Sequence, residues 1–196
     1  ESFDENSITN KINYLKKADI IDVGAESTRP GSLRISEEEE MERLSLLSQI
    51  HIDKNIVLSI DSYKYNIIKK CLDNGFNMVN DISGGGENFE NIDLAFEYNV
   101  PIVIMHMLGN PTSMQVKPKY NNVTDEIKLF FEKRIEYCDM KGYNFKKIIL
   151  DPGIGFGKTV KDNDKIILNL QEYKKFGCNL LIGLSRKSFL SYNNDS

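Results

Sequence analysis

Six short runs rich in Val and Ile punctuate the chain, at residues 20–23, 56–60, 78–79 with Ile82, 102–105, 148–150 and 180–182. Near-continuous apolar runs of this length read as strands buried on both faces, and so as a parallel sheet. The segments between them carry helical signals. Ser36 with Glu39 forms a capping box, and Glu37 to Glu40 suit the positive end of a helix dipole. Met41, Leu44, Leu47 and Ile50 then give that helix a buried stripe. Ser62 is placed to cap a second helix carrying Ile67, Ile68, Cys71 and Leu72, with Gly75 as its stop. A third spans about 92–98. Thr124 is read as the cap of a fourth, with Ile127, Phe130, Phe131, Ile135 and Cys138 on one face and Gly142 beyond its end. A fifth is expected over 164–176, ended by Gly177, and 184–190 starts a sixth.

A repeated β-α order gives either a doubly wound open sheet or a (β/α)8 barrel. The two differ in where polar residues gather. Here almost every strand delivers them at its C-terminal end: Asp22, Asp61, Asn80-Asp81, His106, Asp151 and Ser185-Arg186-Lys187. An open sheet concentrates its site at one switch point, whereas a barrel collects residues from many strand ends into one mouth. The pattern favours an α/β TIM barrel. Six strands fall short of eight, and 196 residues fall short of the typical ~250. The chain also opens at Glu1-Ser2-Phe3 without Met and stops in polar residues just past an apolar stretch. The expectation is one domain over 1–196, a partial barrel of about six units, incomplete at both ends.

Composition narrows the function classes. Lys and Arg total 25 against 29 Asp and Glu, a net charge of −4, which leaves no electrostatic footprint for nucleic acid. No apolar run approaches the ~20 residues of a membrane span, and no signal-peptide pattern opens the sequence. Cys71, Cys138 and Cys178 are scattered without CxxC spacing, which fits a reducing, cytoplasmic setting. With only His51 and His106, a site built on several His ligands is excluded.

A lone Asp after a strand is ordinarily a cap. Aspartates at equivalent places in successive units are harder to dismiss, because a barrel aims them at one volume. Carboxylates at 61 and 151 with the Asn80 amide suit a flat heterocycle rich in N–H donors. Metal binding by those carboxylates ranks lower, with one His nearby and no HxH or HExxH motif. The stretch 151–159 resembles a nucleotide loop but fails on spacing. A P-loop needs Gly where Pro152 stands, and a dinucleotide fingerprint needs Gly where Lys158 stands. Its glycines are expected to form a tight, mobile loop presenting Phe156. Ser83 to Gly86 is expected to be a flexible connection, and the loop 24–31 either a lid or a solvated turn. Arg186 and Lys187 at a helix start favour an anion. His106 either polarises a substrate or braces a loop.

Five segments in order, 22–31, 80–84, 105–111, 151–158 and 183–188, carry a further observation. Their sequences DVGAESTRPG, NDISG, MHMLGNP, DPGIGFGK and GLSRKS resemble the dihydropteroate synthase family, and together they span nearly the whole chain. Glu1-Ser2-Phe3 is similar to the tail of another loop of that family. The resemblance implies a pterin-binding TIM barrel that condenses 4-aminobenzoate with (7,8-dihydropterin-6-yl)methyl diphosphate, releasing diphosphate, with Mg²⁺ as cofactor. It implies that Asp61, Asn80, Asp151 and Lys187 hold the pterin, with Asp61, Asp151 and Lys187 catalytic. Thr28 and Arg29 would close near the diphosphate. Arg29, Pro30, Phe156 and Ser188 would line the aminobenzoate subsite, and Asp22 and Arg186 would support the pocket. The family's Mg²⁺-contacting Asn and its Arg-x-His motif have no counterpart in these residues, so this chain alone is expected to be inactive. The full-length protein is expected to be a cytoplasmic homodimer and a sulfonamide target. Alternatives are a pterin-dependent methyltransferase, a non-catalytic pterin-binding paralogue, and a carboxylate-rich barrel enzyme acting on another metabolite.

Overall fold

The structure is a computed structural model, and it describes residues 18–27, 32–45, 55–109 and 118–184. Six parallel strands form one sheet: β1 (Ile20–Val23), β2 (Val57–Asp61), β3 (Met78–Asp81), β4 (Ile102–Met105), β5 (Ile148–Asp151) and β6 (Asn179–Leu180). The helices are α1 (Glu37–Ser45), α2 (Tyr65–Asp73), α3 (Glu90–Glu97), α4 (Val123–Met140), α5 (Val160–Leu168) and α6 (Leu170–Lys174), with a 3₁₀ turn at Phe145–Lys147.

Strand order equals chain order, from β1 to β6 without reversal. A doubly wound sheet would reverse at a switch point. Right-handed crossovers that never reverse put every helix on one face, which is the winding of a barrel wall. The described residues are therefore five consecutive β/α units and a sixth strand of a partial TIM barrel, as the alternation predicts.

Register sorts the strand residues onto two faces, because residues opposite one another in a parallel pair point the same way. Ile60, Val79, Ile102, Ile104, Ile148 and Leu150 face the helices and are buried at 0 % exposure. They meet Ile67 and Ile68 of α2, Ile92 and Leu94 of α3, Ile127 and Phe131 of α4, and Ile166 and Tyr173 from α5 and α6 in one apolar core. The opposite face carries Asp22, Ser59, Asp61, Asn80, Val103, Met105 and Asp151, since Asp22 pairs with Ser59, Asp61 with Asn80, Asn80 with Val103, and Met105 with Asp151. This face is the inner wall.

Helix ends depart from the sequence reading in ways the hydrogen bonds explain. Ser36 does cap α1, its hydroxyl accepting from Glu39 N at 3.2 Å, but the Glu39 carboxylate turns to Arg43 instead of completing the box. Ser62 accepts from Lys64 N, and α2 starts only at Tyr65 with Lys64 in the cap position. Asn122, not Thr124, caps α4, accepting from Thr124 N at 3.1 Å. The single helix expected over 164–176 is two. Thr159 and Asp162 make a reciprocal capping box that starts α5 at Val160, and the chain breaks at Asn169 before α6. Leu47, Ile50, Glu1 to Phe3, His51 and nearly all of the helix expected over 184–190 lie outside the described residues.

Candidate active site

The inner face ends in a ring of polar side chains. Asn80 Nδ2 donates to Asp22 Oδ2 at 2.8 Å across the intervening strand. Asp22 stays open to solvent on one side, and the protein packed on its other sides raises its pKa against hydrogen bonds from Ser59 and Asn80. Asp61 sits level with Asn80, half-buried, and its Oδ1 is buried without a hydrogen-bond partner. Burial first, and then the negative charges of Asp22, Glu40, Asp81 and Glu26, push its pKa up to about 7. Gly24 is packed against it: a Cβ there would lie 3.1 Å from Asp61 Oδ2 and 3.2 Å from its backbone oxygen. Asp151 is buried, and its Oδ1 accepts from Gly153 N at 2.7 Å.

Asp81 belongs to the other face and does other work. It is fully buried and accepts from Ser83 N (2.7 Å), Gly85 N (2.9 Å) and Asn91 Nδ2 (3.0 Å). The glycine run after it is not a slack connection but a packed turn. Gly84, Gly85 and Gly86 all have positive φ, and a Cβ on Gly84 would lie 2.4 Å from Phe130. Asn91 also donates to Tyr63 O at 3.0 Å, tying the loop after β2 to the loop after β3.

The loop after β5 is equally braced. Gly153 has φ +67, and a Cβ there would fall 2.0 Å from His106 O. Lys158 is buried and donates to His106 O at 3.0 Å and Phe156 O at 2.9 Å, so it ties the loop to the end of β4 rather than cradling phosphate. Tyr120 donates to Gly157 O at 2.8 Å. Phe156 lies half-buried on this loop. His106 is buried against Phe130, ring centroids 4.9 Å apart. Burial, then Lys158 and Arg134, push its pKa down to about 3, so it is neutral at physiological pH and braces the loop through its carbonyl.

The loops after β2, β3 and β4 flank a cleft of about 450 Å³ lined by Arg34, Tyr63, Ile82, Met107 and Arg134, among others. Arg134 stacks on the Phe130 ring at 3.3 Å to its centroid and donates to Gly84 O at 2.8 Å. An inner wall of carboxylates and an amide can hold a flat ring with N–H donors.

A family model described as pterin binding enzyme matches residues 14–196. The chain belongs to the pterin-binding enzyme family. It is 39% identical over 174 residues to the dihydropteroate synthase of Synechocystis sp., an alignment covering 88% of this chain and 60% of that protein. The chain thus spans less than two thirds of the length of that curated relative. Among solved structures, dihydropteroate synthase from Anaplasma phagocytophilum with bound 6-hydroxymethylpterin-monophosphate superimposes with a TM-score of 0.87 at 32% identity, over 96% of this chain and 77% of that one. The Xanthomonas albilineans enzyme with 4-aminobenzoic acid gives 0.82 at 29% identity, over 95% and 67%.

Of the residues expected from the sequence, the structure brings Asp22, Asp61, Asn80 and Asp151 onto one face and sets Phe156 on the loop after Asp151. Thr28, Arg29, Pro30, Arg186, Lys187 and Ser188 lie outside the described residues. The sequence reading passed over Gly24, Glu26, Lys64, Asn91 and Arg134. Glu26 stood inside a quoted motif, and Lys64 follows Asp61 by three residues. Neither position had a sequence signal pointing to the other. No helix among the described residues is long and apolar enough to cross a membrane.

Proposed function

We propose that this chain supplies the pterin-binding part of a dihydropteroate synthase, which joins 4-aminobenzoate to (7,8-dihydropterin-6-yl)methyl diphosphate to give 7,8-dihydropteroate and diphosphate. The observation that carries the reading is Asp61, whose buried Oδ1 lacks a donor, level with Asn80 on the inner wall. A pterin edge offers adjacent N–H donors, which a carboxylate accepts side by side, while an amide both donates and accepts. Donors arriving at Asp61 favour its ionised form and remove the cost of its unmatched oxygen.

In this reading the bond between the methylene carbon and the diphosphate oxygen breaks, and the electron pair leaves with diphosphate. The positive charge left on the dihydropterin is stabilised electrostatically by Asp61 and Asp151. The aryl amine nitrogen bonds to the methylene and gives up its proton to solvent. No residue becomes covalently attached. Lys187 would contact the pterin, Thr28 and Arg29 the departing anion, and Arg29, Pro30, Phe156 and Ser188 the aminobenzoate, with Asp22 and Arg186 in support. Among the described residues no three His, Cys, Asp or Glu side chains converge as a metal cage would require. Mg²⁺ therefore belongs to this reading as the partner of the diphosphate, since it is commonly held by substrate phosphates with few protein ligands. The homodimer and the cytoplasmic setting belong to the same proposal. The free thiols of Cys71, Cys138 and Cys178 support a reducing compartment.

The test uses the protein expressed from its full reading frame, with the dihydropterin diphosphate, Mg²⁺ and labelled 4-aminobenzoate. Label entering pteroate, and collapsing in Asp61→Asn, is the expected result. A well-folded wild type that incorporates none would overturn the proposal.

A further inference from the structure

A second group of charges lies behind Asp61, on the helix side of the loop that follows β1. Lys64 is nearly buried, its side chain 11 % exposed, and its ammonium spends all three donors. It donates to Glu26 Oε2 at 2.8 Å, Glu40 Oε2 at 2.7 Å and Ile35 O at 2.8 Å. Glu26 and Glu40 are 7 % and 1 % exposed. Glu26 also accepts from Tyr63 OH at 3.1 Å and Ile35 N at 3.3 Å. Burial alone would raise the Glu26 pKa, but Lys64, Ile35 N and Tyr63 hold it low. The knot joins three places in the chain: the segment after β1, the start of α1, and the turn between β2 and α2.

Its position relative to the inner wall matters. Glu26 lies two residues past Gly24, the residue whose backbone rests against the Asp61 carboxyl. Arg43 of α1 adds a bond to Ala25 O at 2.8 Å, so residues 24 to 26 are held from behind at two successive points. A buried ion cluster with one cation and two anions is an expensive way to hold a loop, because each ion loses hydration. Well-packed apolar side chains would do so at least as stably.

We propose that Lys64 is a positioning residue for Asp61. By gripping Glu26 and Glu40 it presses the Gly24–Glu26 backbone against the Asp61 carboxyl and balances the two carboxylates that face it from behind. The consequence for binding rests on the pterin-site reading above, but the effect on Asp61 does not. Among the described residues, the negative charges that act on Asp61 are Asp22 on β1, Glu40 on α1, Asp81 on the helix side of β3 and Glu26 on the loop after β1.

The test reads Asp61 directly, by NMR titration of its side-chain carboxyl carbon in the ligand-free protein expressed from its full reading frame. Lys64→Met leaves Glu26 and Glu40 unbalanced and is expected to move the Asp61 midpoint up by about one pH unit, as a like charge nearby does. Glu26→Gln removes one of the repelling charges and is expected to move it down. A role confined to stability would not produce shifts of opposite sign. Lys64→Gln, which keeps two donors but no charge, provides the upward arm again should the Met variant fail to fold. The second readout is the Kd for 6-hydroxymethyl-7,8-dihydropterin at pH 7. It is expected to weaken about fivefold in Lys64→Met, because a one-unit rise cuts the ionised fraction of Asp61 at pH 7 from about a half to about a tenth. Midpoints that do not move, or that move together, overturn the inference. Opposite shifts in a protein that binds no pterin overturn the pterin reading and leave the Lys64–Asp61 link standing.

Discussion

Asp61 makes the protein's stability fall as pH rises, and the Asn variant should abolish that fall. The folded carboxyl titrates at about 7, against an ordinary 3.8 for aspartate. Between those values the folded state keeps a proton that the unfolded chain has lost. The stabilisation is full below about pH 4 and is lost as pH climbs through 7. At 1.36 kcal/mol per pH unit the gap gives about 4 kcal/mol, and solvent reaching the half-buried group reduces this to about 2–4 kcal/mol. Asp61→Asn keeps the shape and removes the charge. Urea unfolding at pH 4.5, 6 and 8 should show the smallest gap at pH 4.5, about a quarter of the full effect, and the variant more stable by that full amount at pH 8. Every other titrating group is common to both proteins, so the difference curve reports Asp61 together with its coupling to Asp22, Glu26, Glu40 and Asp81. A difference that stays flat across the range would mean that Asp61 is as well solvated folded as unfolded. A carboxylate that destabilises its own fold at physiological pH is the sort of cost retained for function.

Three further substitutions test the surroundings. Gly153→Ala must adopt φ +67 and drive a Cβ into His106 O, so chemical denaturation should show a loss above about 3 kcal/mol, or no folded protein. Gly24→Ala crowds Asp61 at 3.1 Å from its Oδ2 and 3.2 Å from its backbone oxygen, so the melting temperature should fall by a few degrees, about 1 kcal/mol, and pterin affinity should drop. Thr159→Ala removes the hydroxyl that accepts from Asp162 N and should cost about 1 kcal/mol in urea unfolding, with pterin affinity unchanged.

The winding of the sheet was legible because buried parallel strands have a composition of their own, and all six runs became strands. The inner-wall residues were legible as strand-end polar groups, with the Asn80 amide already grouped with the carboxylates at 61 and 151, and register supplies the reason that Asn80 and not Asp81 joins them. The side-chain period of two puts Asn80 on the wall and turns Asp81 to the helix side, where it ties down the turn at Ser83 and Gly85. Ser83 to Gly86 looked slack because glycine permits flexibility. The structure uses the same freedom to let Phe130, Ile92 and Glu90 approach the backbone. Spacing excluded a nucleotide loop at 151–159 but gave Lys158 no role, and only the fold brings His106 O to it. The Lys64 knot joins residues 24 to 38 positions apart, a spacing no local pattern announces.

Equilibrium binding of 6-hydroxymethyl-7,8-dihydropterin asks whether the inner wall is a pterin pocket. Isothermal titration of the protein expressed from its full reading frame, at pH 7.5 with wild type and Asp61→Asn side by side, needs no second substrate and no turnover. Binding by the wild type is expected, with a loss of about 30-fold or more in the variant, the scale of removing a charged hydrogen-bond acceptor. Equal affinity in the two proteins, with both shown folded, would contradict a pterin pocket on the inner wall.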